Sequence, residues 1–344
     1  MLTVARESRG MSQTELARLS GVPQGTLSKV ENGLTELPEE RIQAIADALN
    51  YPRELLDWPD PIYGFGSSMY HHRKQQSVGQ TALRRIHAVS NLLVARLRRL
   101  GTGIDVRAPL RMPALDIDGF GGPEEVARAV RAAWLVPMGP IENMIALLEA
   151  AGALVIRRDL GTPRITAISI RPPDTRPLFL LNTGLPPDRE RFTLAHELGH
   201  LVMHEIPRPE AEAEADRFAA EFLMPAAEIR SQLTRIDLAK AALLKQHWKT
   251  AMSALIRRAH DLDVITDARY RSLLSQMAQR GFNRVEPVEL PREEPSIVST
   301  ILQIHVGTHG YTSEELARLV GLNANEFHNE FPIQGGSRLR LVRQ

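Results

Sequence analysis

Apolar positions recur every three or four residues over most of the chain, the period of a helix, and gather into short apolar runs chiefly between residues 153 and 182. Near the start, Leu16, Leu19 and Val22 form an apolar stripe behind Ser12, which with Glu15 makes a capping box. Gly21 then supplies a turn before a short helix over 24–32, so residues 1–58 read as a compact helix-turn-helix domain. A longer helix over 77–100 keeps Leu83, Ile86, Leu92, Leu93 and Leu97 on one face and is expected to act as a spacer packed against the domain that follows. Glycines and prolines over 101–123 mark a boundary, which makes 59–122 a basic linker with a spacer helix. Helical patterns over 123–134 and 141–151 come next. Three strands follow, over 153–157, 165–170 and 177–182, and the chain returns to helical spacing.

Helices, a small sheet and then more helices make an α+β domain, placed here at 123–282. A Pro/Glu-rich linker over 286–295 separates a last helical module, 296–344. In that module Glu314–Leu322 repeats Thr14–Val22 at an offset of 300 residues, which predicts a second helix-turn-helix-like unit. Its following helix carries Glu326 and Glu330 and no Lys or Arg, so phosphate would repel it and a protein contact suits it better.

Composition narrows the setting. The 344 residues include no Cys, which removes disulfides and thiolate metal sites and favours a reducing compartment. No apolar signal core opens the chain, and no run of about eighteen apolar residues occurs, so the expected location is the cytoplasm with no membrane partner. The net charge of +1 is unevenly spread. Residues 1–60 hold six Lys/Arg against ten Asp/Glu, whereas 61–112 hold nine against one. An electrostatic hold on DNA would therefore lean on the Arg-rich segment 73–99, with its Tyr70–Lys74 cluster and Arg84, Arg85, Arg96, Arg98 and Arg99.

The stretch that demands a particular chemistry is Phe192–His204, which contains His196-Glu197-Leu-Gly-His200. Residues four apart stack on one helix face, so His196 and His200 can offer two imidazole nitrogens to one metal ion, with Glu197 beside them as a carboxylate able to take a proton from water. Asp188 is expected to cap this helix, and the strand just before it is expected to offer a free edge to an extended peptide. His204 lies eight residues past His196, about 12 Å along a helix axis, and cannot share its ion while the helix stays regular. The next helix buries Ala215, Phe218, Ala219 and Phe222, and one turn apart near that face stand Glu212 and Asp216. Glu212 suits the third ligand of a catalytic His2Glu zinc site; Asp216 suits an outer position, accepting the far ring N–H of a ligand histidine.

Two resemblances sharpen this. Residues 9–33, from Arg9-Gly-Met-Ser-Gln13 through Gln24-Gly-Thr26-Leu-Ser28-Lys29 to Gly33, resemble the Cro/CI-like (XRE-type) DNA-binding family, which implies that Gln24, Thr26, Ser28 and Lys29 face bases and phosphates while Gln13 buttresses them. Pro140-Ile-Glu-Asn, Leu181-Asn182, Arg191–His204 and Glu212–Pro225 resemble the ImmA/IrrE metallopeptidase family over roughly 123–260. That resemblance implies a zincin-like core, zinc on His196, His200 and Glu212, Glu197 as general base, and a Cro/CI-like repressor as protein substrate. The fold class expected is therefore multidomain: an all-α helix-turn-helix domain, an α+β zincin-like metallopeptidase domain with a small sheet, and a helical C-terminal region.

The leading functional expectation is a zinc endopeptidase acting as a transcriptional switch by cleaving a Cro/CI-like repressor, with its own helix-turn-helix domain binding either DNA or a repressor. Its alternative is a DNA-binding regulator whose zinc domain only senses or supports. A single acidic reader domain should hold DNA weakly, so a homodimer or the Arg-rich segment is expected to help.

Overall fold

The computed structural model describes residues 1–63, 78–173, 175–205 and 208–332. Tyr70, His71, His72, Arg73 and Lys74, and the expected start of the long helix at Ser77, lie outside the described residues. Those described form two compact units, one of 1–63 with 78–106 and 296–332, the other within 107–295. No helix among them is long and apolar enough to cross a membrane.

The first unit opens with α1 (Leu2–Ser8), α2 (Gln13–Ser20), α3 (Gln24–Glu31) and α4 (Glu39–Leu49). Ser12 Oγ accepts the Glu15 amide at 3.1 Å, although only this arm of the expected capping box is made. Gly21 adopts φ +70°, a left-handed value natural to glycine, and so turns the chain from α2 towards α3. Leu16, Val22 and Leu27 fill the core, but Leu19 is 46% exposed and does not belong to the stripe. Arg6 ties α1 to α3 through a two-pronged bond to Glu31 at 2.6 and 3.0 Å.

α5 (Gln80–Gly101) corrects the spacer reading. It belongs to this same unit, where it packs on α1 with Ile86, Leu92, Leu93 and Leu97 buried.

The second unit holds α6 (Ile117–Phe120), α7 (Pro123–Ala133) and α8 (Met144–Ala150), then β1 (Leu154–Arg158), β2 (Ala167–Ile170) and β3 (Leu178–Asn182). The sheet order is β1-β3-β2, with β1 parallel and β2 antiparallel to β3, and Ile156, Leu180 and Ile168 in register across it. All five residues of β3 are buried, in keeping with a central strand. The expected free edge on the strand before the metal helix is therefore absent, because β3 is paired on both sides. β2 is an edge by pairing, yet its four residues are also buried.

α9 (Pro187–Met203) starts with Pro186 at the cap and Pro187 in the first turn, where proline loses no helical hydrogen bond. Asp188 is thus not the cap. Its carboxylate is buried and accepts Lys245 Nζ at 2.6 Å, while Glu286 accepts the same ammonium at 2.7 Å. Removing one partner of such a buried group costs about 3–5 kcal/mol. α10 (Ala211–Leu223) lies close against α9 at Gly199, where a Cβ would stand 3.1 Å from Phe218 Cδ1 and 3.3 Å from Ala215 Cα. α11 (Ala226–Ile229), α12 (Leu238–Trp248), α13 (Met252–Asp261) and α14 (Asp267–Gln279) complete the unit, and Leu194, Leu198, Phe218, Phe222, Trp248 and Leu255 share one core with the sheet.

Residues 286–295 are a strap rather than a loose spacer. Glu293 accepts the amides of Met144 and Ile145 at the start of α8, at 2.8 and 3.0 Å, and pairs with buried Arg191; Glu294 takes Arg157 and Arg292 takes Glu190.

The chain then returns to the first unit through α15 (Ile297–Gly307), α16 (Ser313–Leu319) and α17 (Ala324–Glu330). Thr312 and Glu315 make both arms of a capping box, and Gly321 repeats the left-handed turn of Gly21 at φ +61°. Glu326 of α17 holds Arg9 at 2.6 Å and Glu330 holds Arg96 at 3.0 Å. A Cβ on Gly321 would fall 2.7 Å from Leu55 and 2.8 Å from Trp58, so glycine is required for α16 and α17 to seat.

Candidate metal centre and helix-turn-helix surface

Because α9 is regular from Pro187 onward, His196 and His200 fall one turn apart and their Nε2 atoms stand 3.0 Å from each other. The close approach at Gly199 brings the start of α10 alongside. There Glu212 Oε1 lies 3.4 Å from His200 Nε2, and Oε2 lies 3.7 Å from His196 Nε2. One donor atom from each of the three fits within a 4.8 Å cluster. Glu212 Oε1 is buried and makes no hydrogen bond. Two imidazole nitrogens converging on a carboxylate oxygen that lacks a partner fit a divalent cation, and nitrogen and oxygen donors in this proportion suit zinc-type chemistry.

His200 is 1% exposed on its side chain, His196 17% and Glu212 26%, so a molecule would meet the cluster from the side of His196 and Glu212. Behind His196, Asp216 Oδ1 lies 2.8 Å from Nδ1. Burial works against the charged imidazole of His196, but the Asp216 hydrogen bond and the carboxylates of Glu197, Asp216 and Glu212 outweigh it and hold its pKa above the ordinary value.

Glu197 is buried beside the cluster, and its Oε2 accepts the Ser169 hydroxyl of β2 at 2.6 Å. Sequence reading missed Ser169; a lone serine in an apolar strand was the available signal. It also set His204 aside and passed over Glu214. The structure places His204 Nδ1 3.0 Å from His200 Nδ1, on the side away from the cluster, and His204 Nε2 3.0 Å from Glu214 Oε2. Burial raises the Glu214 carboxyl above its ordinary value, with Arg208 opposing.

In the first unit, Gln24 and Lys29 are exposed on α3, and Gln13, Thr26 and Ser28 are half-buried. Gln24 Nε2 donates to Gln13 Oε1 at 2.8 Å, and Gln13 Nε2 donates to Glu31 Oε2 at 2.7 Å, so the two glutamines are anchored through Glu31 to Arg6. The Arg-rich segment supplies fewer free cations than its sequence promises. Arg96 is buried on Glu330 and the Val320 carbonyl; Arg98 and Arg99 share Asp60, and Arg99 also stacks 3.5 Å over Trp58. Arg84 and Arg85 remain exposed.

Family models match the chain in two places. Residues 148–260 match the IrrE N-terminal-like domain of the M78 peptidases, a region that includes the sheet, α9 and the Glu212 helix. Residues 4–56 match the helix-turn-helix family and contain all five candidate DNA contacts. No curated protein matches the chain. One polypeptide therefore carries an XRE-type helix-turn-helix region and an IrrE/ImmA-like M78 peptidase region, the fusion that its motifs predict.

Proposed function

We propose that the chain is a zinc endopeptidase that switches transcription by cleaving a Cro/CI-like repressor, with the helix-turn-helix region holding it on DNA. The observation that carries the reading is the convergence of His196, His200 and Glu212 with a fourth, separately held group, the Glu197 carboxylate, beside them. A structural site has no need of that fourth group, since closing the coordination shell is enough.

A zinc ion held by the three residues would supply Lewis acidity to the scissile carbonyl and to an attacking water. Glu197 then accepts the proton of that water and delivers it to the leaving amine, while Ser169 fixes the carboxylate's angle through Oε2. Asp216 orients His196 from outside the cluster. On DNA, Gln24, Thr26, Ser28 and Lys29 face the major groove from α3, and Gln13 positions Gln24.

The test uses the purified full chain and purified Cro/CI-like repressors. Wild type is expected to cut a repressor and Glu197→Gln to lose at least about a hundredfold in rate while keeping its metal. Equal cutting by both removes the base assignment. A metal-loaded wild type that binds operator DNA and cuts no repressor favours a regulator whose peptidase region only senses.

A further inference from the structure

We propose that His204 and Glu214 are a positioning pair that decides which nitrogen of His200 faces the metal, an inference that rests on His196, His200 and Glu212 being the metal site. His204 closes α9. Its backbone amide still bonds the His200 carbonyl at 3.0 Å, but its own φ −114°, ψ 82° leaves the helix, and its ring lies along the far side of His200. There it meets His200 Nδ1 with one nitrogen and Glu214 with the other, at 3.0 Å each.

The protons along this line are fixed by its end. Arg208 Nε stands 3.4 Å from Glu214 Oε2, and a carboxylate facing a guanidinium accepts rather than donates, so His204 Nε2 carries a hydrogen towards Glu214 and His204 Nδ1 is left as a lone pair. That lone pair takes the hydrogen of His200 Nδ1, and His200 Nε2 is left bare, turned towards His196 Nε2 and Glu212. Reversing the line would put a hydrogen on His200 Nε2 and close it to a cation. Histidine suits the middle position because its ring accepts at one atom and donates at another.

α10 thus contributes three carboxylates with different tasks. Glu212 faces the cluster, Asp216 stands behind His196 directly, and Glu214 stands behind His200 through His204. The two supports differ in exposure. Asp216 is 65% exposed on its side chain, whereas Glu214 is 12% and His204 fully buried, so water can replace the first support more readily than the second.

The experiment measures zinc affinity of the full chain by competition with a chromophoric chelator, with the cobalt(II) absorption spectrum as second readout. His204→Phe and Glu214→Ala are each expected to weaken zinc binding by about 10- to 100-fold and to change the cobalt spectrum. His204→Gln, whose carbonyl still accepts from His200 Nδ1, should recover affinity to within about threefold. Asp216→Ala should lose less than Glu214→Ala. Unfolding of the metal-free chain, followed with chelator present, should match wild type for Glu214→Ala. Zinc affinity within about twofold of wild type in both His204→Phe and Glu214→Ala overturns the proposal. So does a loss fully matched by destabilisation of the metal-free chain, which would make the pair a packing element. His196→Ala and Glu212→Ala are the controls: wild-type affinity in these would refute the ligand set itself, a failure distinct from that of the pair.

Discussion

Ser169 Oγ grips Glu197 Oε2 at 2.6 Å, one buried hydroxyl on an edge strand fixing one buried carboxylate on the helix beside it. A hydrogen bond to a charged group is worth about 1.5–3 kcal/mol. Ser169→Ala frees the carboxylate to rotate and is expected to lower kcat for peptide cleavage about 10- to 100-fold. Metal content should not change, since the Ser169 hydroxyl bonds Glu197 and not one of the three proposed ligands. Steady-state kinetics beside elemental analysis check this, and an unaltered kcat would strip Ser169 of the role.

Gly199 sets the separation of α9 and α10. The Cβ of Gly199→Ala would press on the Phe218 ring, itself stacked on Phe222 at 5.5 Å, and on the Ala215 backbone. Neither can swing aside, and overpacking of this kind costs about 1–3 kcal/mol. The expected result is a lower melting temperature together with weaker metal retention, because the helix displaced is the one that carries Glu212. Calorimetry with and without chelator separates the two effects; a variant that melts earlier but holds metal as tightly would place the strain elsewhere.

DNA binding should respond to few cations. Lys29→Ala is expected to weaken binding to a specific operator. Reversing the charge at exposed Arg84 and Arg85 should flatten the dependence of log K on log salt by about 0.9 for each phosphate that is no longer neutralised. Neither change should alter cleavage of a supplied peptide. Arg96→Glu differs in kind, since it replaces the Arg96–Glu330 ion pair with two facing carboxylates, one of them in a buried place, and should unfold the first unit before it affects DNA. Salt-titrated binding curves decide the first two, and circular dichroism the third.

His260 offers a pH marker. The Asp267 hydrogen bond at 2.5 Å, with Asp261 adding to it, raises its pKa above the ordinary 6.5. A histidine raised by folding contributes stability that is full below about 6.5 and fades as pH climbs through the raised value. Nuclear magnetic resonance should show His260 titrating above an unperturbed histidine and returning towards 6.5 in Asp267→Asn. An unmoved titration in that variant would reject the pairing as the cause.

Much of this site could be read from the chain because its logic is local. His196, His200 and Glu197 follow from the period of one helix, and Gln13, Gln24 and the glycine turn follow from a short motif. Contacts that depend on tertiary packing could not. Asp188 sits where a cap was expected, yet it pairs with Lys245, 57 residues away. Arg96, Arg98 and Arg99 look like a basic face until Glu330 and Asp60 come to meet them. The strand before α9 has the apolar run of a central strand, and periodicity alone did not say that both its edges would be occupied. Ser169 and Glu214 are ordinary residues in sequence and acquire meaning only from the atoms they meet.

The helices that complete the first unit are made after the whole of the second. Arg96 emerges from the ribosome with no carboxylate to meet it, and about 190 residues, the whole of the second unit, are synthesised before α15 begins. At about 5–20 residues per second that interval is roughly 10–40 s. Throughout it the nascent first unit bears a face of α5 that is dry in the finished protein, together with an unmatched guanidinium. The second unit can close while the first is still unfinished, so a chain stalled or cut before α15 would carry the complete His196, His200 and Glu212 cluster and an incomplete first unit.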